Sequence, residues 1–164
     1  MTAMQGGTTK RTYRTGSVGA LMDEYERVTV ELVGILESIS DEEYSRIRDT
    51  QTTDEDCRSI QTIMTHVVGA GYGYAGYMRD AWGMEREPHE RVPIPRAETP
   101  AKLRAILDYM IATLEGRWDL SYEKQEAMKM TVRWGPTYDF EMLFEHAIVH
   151  VMRHRRQIER FLGR

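Results

Sequence analysis

The chain has 164 residues, 41% of them hydrophobic, with 22 Lys+Arg against 26 Asp+Glu and a formal net charge of −4. This describes one globular domain rather than a disordered chain, and it argues against a nucleic-acid partner, because neutralising phosphates needs a basic surplus. A single cysteine, Cys57, excludes an internal disulfide and the Cys-rich zinc modules, and fits a reducing cytoplasm.

Residues 1–16 are polar, rich in Gly and Thr, and lack the apolar core of a signal peptide; they read as a flexible segment ahead of a single domain over 17–164. The first helix is predicted from Ser17 to Ile39. Val18, Leu21, Tyr25, Val28, Leu32, Ile35 and Ile39 recur at steps of three and four, which aligns them on one helical face. Ser40 then caps a short turn over Asp41 to Ile47, followed by a polar loop through Asp56.

The second helix is predicted from Cys57 to Trp82, with Ile60, Ile63, Met64, Val67, Gly71, Tyr74 and Met78 as its stripe. Ser59 to Met78 carries no charged residue, yet its Ser, Gln, Thr, His and Gly content is too polar for a membrane span, so no membrane association is expected. Gly69, Gly71, Gly73 and Gly76 lie inside this helix. A mid-helix glycine costs about 1 kcal/mol against alanine, so four of them require close helix approach or room for a ligand. Gly83 to Glu98, with Pro88, Pro93 and Pro95, is a loop.

The third helix begins at Thr99-Pro100, read as N-cap and first helical residue, and its stripe runs Leu103, Ile106, Leu107, Met110, Leu114, Trp118. A loop over Thr131 to Pro136 carries Trp134. The fourth helix runs from Tyr138 to Leu162, closed by Gly163. No strand is expected. Four long amphipathic helices with short to medium connections imply an all-α, four-helix bundle.

The fourth helix holds His146, His150 and His154 at steps of four, one above another. Two His at i and i+4 can chelate one metal. Three span about 12 Å along the axis, too far for a single ion. At about 100° per residue, His154 lies roughly −40° from Phe140, His150 roughly −80° and His146 roughly −120°. His150 and His154 are therefore the better buried pair, with His154 facing the core and His150 flanking it. Gln157, near −100° on the same wheel, is placed to hydrogen-bond a ligand or contact substrate. His66 is the only histidine on another long helix. With the pair it would make a three-ligand site and leave a position for water, the pattern of catalytic rather than closed structural sites. His89 sits in a Pro-flanked loop and receives no role.

Other polar and aromatic residues read more plainly. Arg153, Arg155, Arg156 and Arg160 complement the helix C-terminus and aid solubility; for Arg153, Arg155 and Arg156, surface salt bridging comes first and contact to an anionic substrate or thiol carboxylate second. Tyr72, Tyr74, Tyr77, Trp82 and Trp134 are core and loop anchors first, pocket walls second. Cys57, at a helix start with no histidine near it in sequence, is expected to be inert.

The run Glu145 to Ile158 resembles the last-helix signature of the DinB/YfiT-like superfamily: His, three residues, His, two residues, Gln and an aliphatic residue. His150, His154, Gln157 and Ile158 fall in register, Ile60 to Val68 around His66 resembles the helix bearing the remaining ligand, and the order of the four helices also matches. The resemblance implies a four-helix bundle with a divalent metal, zinc or nickel, on His66, His150 and His154, with Gln157 and His146 as supporting or substrate-contacting residues. It implies a small-molecule substrate and an S-transferase that uses a low-molecular-weight thiol such as bacillithiol or mycothiol. A hydrolase is the other catalytic reading, and a non-catalytic stress-response or metal-binding bundle the alternative. It also implies a homodimer. Two departures stand out: Ala70 and Gly71 occupy the place where many members carry an acid, and His146 is an additional histidine.

Overall fold

The computed structural model describes residues 12–164; residues 1–11, most of the segment expected to be flexible, lie outside it. Among the described residues the chain is all-α apart from one two-stranded ribbon. In chain order the elements are α1 (Gly16–Glu37), α2 (Asp41–Ser45), a 3₁₀ turn (Glu55–Cys57), α3 (Ile60–Ala81), a second 3₁₀ turn (Arg96–Glu98), α4 (Thr99–Leu114), α5 (Tyr122–Ala127), β1 (Met130–Thr131), β2 (Thr137–Tyr138) and α6 (Phe140–Phe161). The long helices form a four-sided bundle in which α1 packs on α6 and α4, and α3 packs on α4 and α6.

The stripes read from the sequence make the core. Met22, Leu32, Ile63, Met64, Phe140 and Phe144 are fully buried. Helix ends follow local chemistry. Ser59 and Thr62 form a reciprocal capping box at the start of α3. Asp139 accepts from the Met142 backbone N–H at the start of α6. Gly163, at φ 70°, ends α6 in the left-handed conformation that glycine adopts at no steric cost. At the other end of the chain, Arg14 is held to Asp23 and Glu26 of α1. No helix among the described residues is long and apolar enough to cross a membrane.

Three expectations change. Thr99 is not an N-cap: it is fully buried as the first residue of α4, and its hydroxyl lies 2.8 Å from the Tyr44 hydroxyl. Tyr44, from the short helix α2, also donates to the Ile94 carbonyl, so a tertiary bond claims the hydroxyl that a cap would use. The third helix stops at Leu114, so Trp118 lies beyond it, followed by the extra helix α5. The loop expected over 131–136 is the connection of an antiparallel hairpin, with Met130 opposite Tyr138 and Thr131 opposite Thr137. Two-residue strands are too short to show the alternation by which strands are recognised.

The glycines of α3 divide by what they face. A Cβ on Gly71 would sit 2.5 Å from Ile106 Cγ2, so this residue sets the α3–α4 approach. A Cβ on Gly73 would meet nothing within 4 Å. Gly71→Ala is therefore expected to cost about 1–3 kcal/mol through overpacking against a stiff β-branched neighbour. Gly73→Ala should stabilise by about 0.5–1 kcal/mol through helix propensity. Urea unfolding of the two variants beside the parent measures both, and equal effects would refute the assignment.

Candidate metal centre

α3 and α6 bring together three imidazoles: His66 from one, and His150 and His154, 84 and 88 residues further along the chain, from the other. One ring nitrogen from each lies within 4.8 Å of the others. His66 Nε2 and His150 Nε2 are 2.9 Å apart. The ring centroids stand 4.9 Å (His66–His150), 5.1 Å (His66–His154) and 4.5 Å (His150–His154) apart. Tetrahedral ligation with metal–nitrogen bonds of about 2.0–2.1 Å needs nitrogens about 3.3 Å apart, so small side-chain adjustments bring this cluster around one ion.

Two of the rings are held from behind. His66 Nδ1 lies 3.1 Å from a carboxylate oxygen of Asp56, and the other oxygen of Asp56 pairs with Arg91. His154 Nδ1 lies 3.1 Å from Gln157 Oε1. Each contact turns Nε2 inward as the remaining ring nitrogen, the arrangement in which a second group fixes the tautomer and orientation of a metal-binding histidine. Arg91 holds Asp56 below the usual carboxylate range, with a smaller contribution from His66.

The cluster is also electrostatically prepared. Burial, then its neighbours His154 and His66, pushes His150 down to about 3. Burial likewise lowers His66 and His154, against the opposing pull of Asp56 on the first and of Gln157 on the second. All three rings are thus neutral near pH 7, the protonation state a metal requires. The donor set, its spacing and its protonation fit a divalent cation.

The helical wheel misjudged one detail. His150 is the most buried of the three, at 7% exposure, whereas His154 is only partly buried. A wheel gives angle but not height. His154 lies nearer the end of the bundle, while His66 and Tyr74 cover the flank on which His150 sits.

His146 is not part of the cluster. Its ring stacks on Trp134 (5.9 Å between centroids) and meets Tyr74 and Tyr138 edge-on or tilted. It lines a cavity of about 380 Å³ that opens beside His66 and His150 and is walled by Tyr74, Tyr77 and Trp134. Gly73, with nothing over its Cα, faces the same space. Tyr72 points elsewhere, stacked on His89 at 4.3 Å, and Trp82 packs on Phe140. Cys57 stands close by, with Sγ 3.8 Å from Gln157 Oε1, and burial raises its thiol.

Asp56 was not singled out in the sequence. It is one of several acids in the polar loop before α3, including Asp49, Asp54 and Glu55. The available signal was its position just ahead of the Ser59 cap. The 3₁₀ turn Glu55–Cys57 aims it at His66, one and a half turns into the helix.

Residues 24–158 match the family described as the DinB superfamily. No curated protein matches the chain.

The protonation state makes a prediction for the metal-free chain. The unfolded chain protonates His150 near the ordinary 6.5, whereas the folded chain resists down to about 3. Its contribution is fully present above 6.5 and is lost as pH falls through that window, at up to about 1.4 kcal/mol per pH unit. Urea unfolding between pH 7 and 4 should show this fall, and His150→Gln should flatten it. A slope unchanged by the substitution would contradict the burial of a neutral ring.

Proposed function

The chain belongs to the DinB superfamily, and from that footing we propose that it is a metal-dependent enzyme acting on a small molecule, as a thiol S-transferase or a hydrolase. The supporting observation is the convergence of His66, His150 and His154 within 4.8 Å at the edge of a cavity large enough for a small substrate. Three protein ligands leave at least one position for an exogenous group.

The proposed ligands are His66, His150 and His154, for one divalent ion of the zinc or nickel type. Such an ion supplies Lewis acidity, which stabilises the thiolate form of a bound thiol or lowers the pKa of bound water. The surrounding residues divide the remaining work. Asp56 and Gln157 hold two imidazoles in the ligating tautomer. His146, kept neutral by burial and by Arg153, lines the same cavity and offers a ring nitrogen to take the proton that a thiol or water gives up. Burial pushes Tyr74 up to about 12, so its phenol stays protonated and acts as a donor rather than a base. Trp134 and Tyr77 meet edge to face and form the aromatic wall of the cavity.

Metal content of tag-free protein tests the proposal. The expected result is about one divalent ion per chain, lost in His150→Ala and His154→Ala while circular dichroism shows the helices retained. Asp56→Asn should keep the fold and weaken metal affinity about 10–100-fold, because it removes the carboxylate behind His66. No metal on purification, and none taken up on titration with zinc, nickel or manganese, would overturn the proposal and leave a non-catalytic bundle.

A further inference from the structure

The cavity beside the triad has a chemical character that the metal does not explain. Its walls are aromatic, from Tyr74, Tyr77 and Trp134, and the charged side chains lining it are arginines, Arg86 and Arg133. Among the described residues, no acidic side chain lines it. In a chain with a net charge of −4, this is a local reversal of sign.

The arginines differ in what already occupies them. Arg86 forms a salt bridge with Asp80, and its guanidinium lies 5.3 Å from the Tyr77 ring centre, so its charge is largely neutralised. Arg133 reaches the cavity from the hairpin between β1 and β2, where its backbone N–H donates to the Tyr77 hydroxyl at 2.8 Å. That bond fixes the hairpin tip over the wall. Arg153 stands three residues beyond His150 on α6, on the same side of the helix. His146, His150 and Arg153 stand at i, i+4 and i+7 of α6, on one helical face, so Arg153 lies on the side of the helix that bears the cavity, although it is not one of the cavity's lining residues. Arg155, by contrast, is committed to Glu31 and Glu159 across the bundle surface. Two cations from different elements therefore stand by the aromatic slot beside the triad: Arg133 of the hairpin lines it, and Arg153 sits on the adjoining face of α6.

We infer that this cavity takes a small organic acid, its flat or apolar body between Trp134 and the tyrosines and its carboxylate toward Arg133 and Arg153. Guanidinium groups suit this role because their planar forks pair with carboxylates and remain charged at any physiological pH. Low-dielectric aromatic walls strengthen the attraction by focusing the field of the two charges. The inference rests on the reading of this cavity as the substrate site. It adds the charge and shape of the substrate, neither of which the triad specifies.

Phenylacetate and phenylacetamide are suitable probes, since they share ring and size and differ in charge. Calorimetric titrations at fixed ionic strength would use zinc-treated and metal-free chain, beside an Arg133→Gln/Arg153→Gln double variant checked by circular dichroism. Both side chains are exposed, so the variant should fold. The acid is expected to bind about tenfold more tightly than the amide in both preparations, falling to within about twofold in the variant. Equal binding of the two probes, binding of neither, or an advantage that survives the double variant would overturn the inference. Metal content measured on the same samples separates this from the proposed function. An arginine-dependent preference in a chain that takes up no zinc would sink the metal reading alone. One zinc per chain with no preference would sink only the organic-acid inference.

Discussion

Three imidazoles taken out of water must stay uncharged, and much of the structure around α3 and α6 follows from that requirement. Protonating any one ring would place a cation against two close neighbours in a poorly solvated space, which is why His150 is driven furthest from its ordinary value. A neutral imidazole still needs its polar atoms satisfied. Asp56 serves His66 and Gln157 serves His154. Asp56 would itself be a costly partly buried anion if Arg91 did not pair with it from the loop between α3 and α4. The chain Arg91–Asp56–His66 thus ties an irregular segment to the bundle interior.

The helices supply precision and the connections supply partners. His150 and His154 are spaced by one helical turn, and His66 is carried by a helix whose start is fixed by the Ser59–Thr62 capping box. These positions are set by backbone geometry and packing, and they change little without unfolding. His146, Tyr74 and Tyr77 also project from the long helices, and several further parts of the site come from outside them. Asp56 and Cys57 come from a 3₁₀ turn, Arg91 from a proline-rich loop, and Arg133 and Trp134 from the hairpin. Such segments tolerate change far better than a packed helix face.

The same division explains what could be read from the sequence. The long helices were legible because amphipathic periodicity is sustained over many residues, as in the α1 stripe from Val18 to Leu32. The histidine spacing on α6 was legible for the same reason, since i and i+4 share a face in any helix. Axial height was not, and so the relative burial of His150 and His154 was misjudged. Nor was the partner of His66. An acid within the helix, one turn on, was the natural place to look, and Ala70 and Gly71 stand there. The carboxylate comes instead from ahead of the helix, where a run of acids gives no hint which one turns inward. Thr99 illustrates the other limit: its local pattern is that of a cap, and a hydrogen bond with Tyr44 overrides it.

Gly71 and Gly73 show how little sequence separates packing from function. Both are helix-weakening residues two positions apart, hence on roughly opposite faces of α3. Gly71 lets α4 approach, because Ile106 occupies the space a methyl group would take. Gly73 faces the cavity and leaves its Cβ position open. The first glycine is required by the core. The second costs helix stability without any packing return, and residues that weaken a fold locally without benefit to the core are those that function must explain. A side chain at 73 would narrow the aromatic slot next to His66 and His150. On the proposed reading, the missing Cβ at Gly73 is substrate space, kept open on the same helix that carries His66.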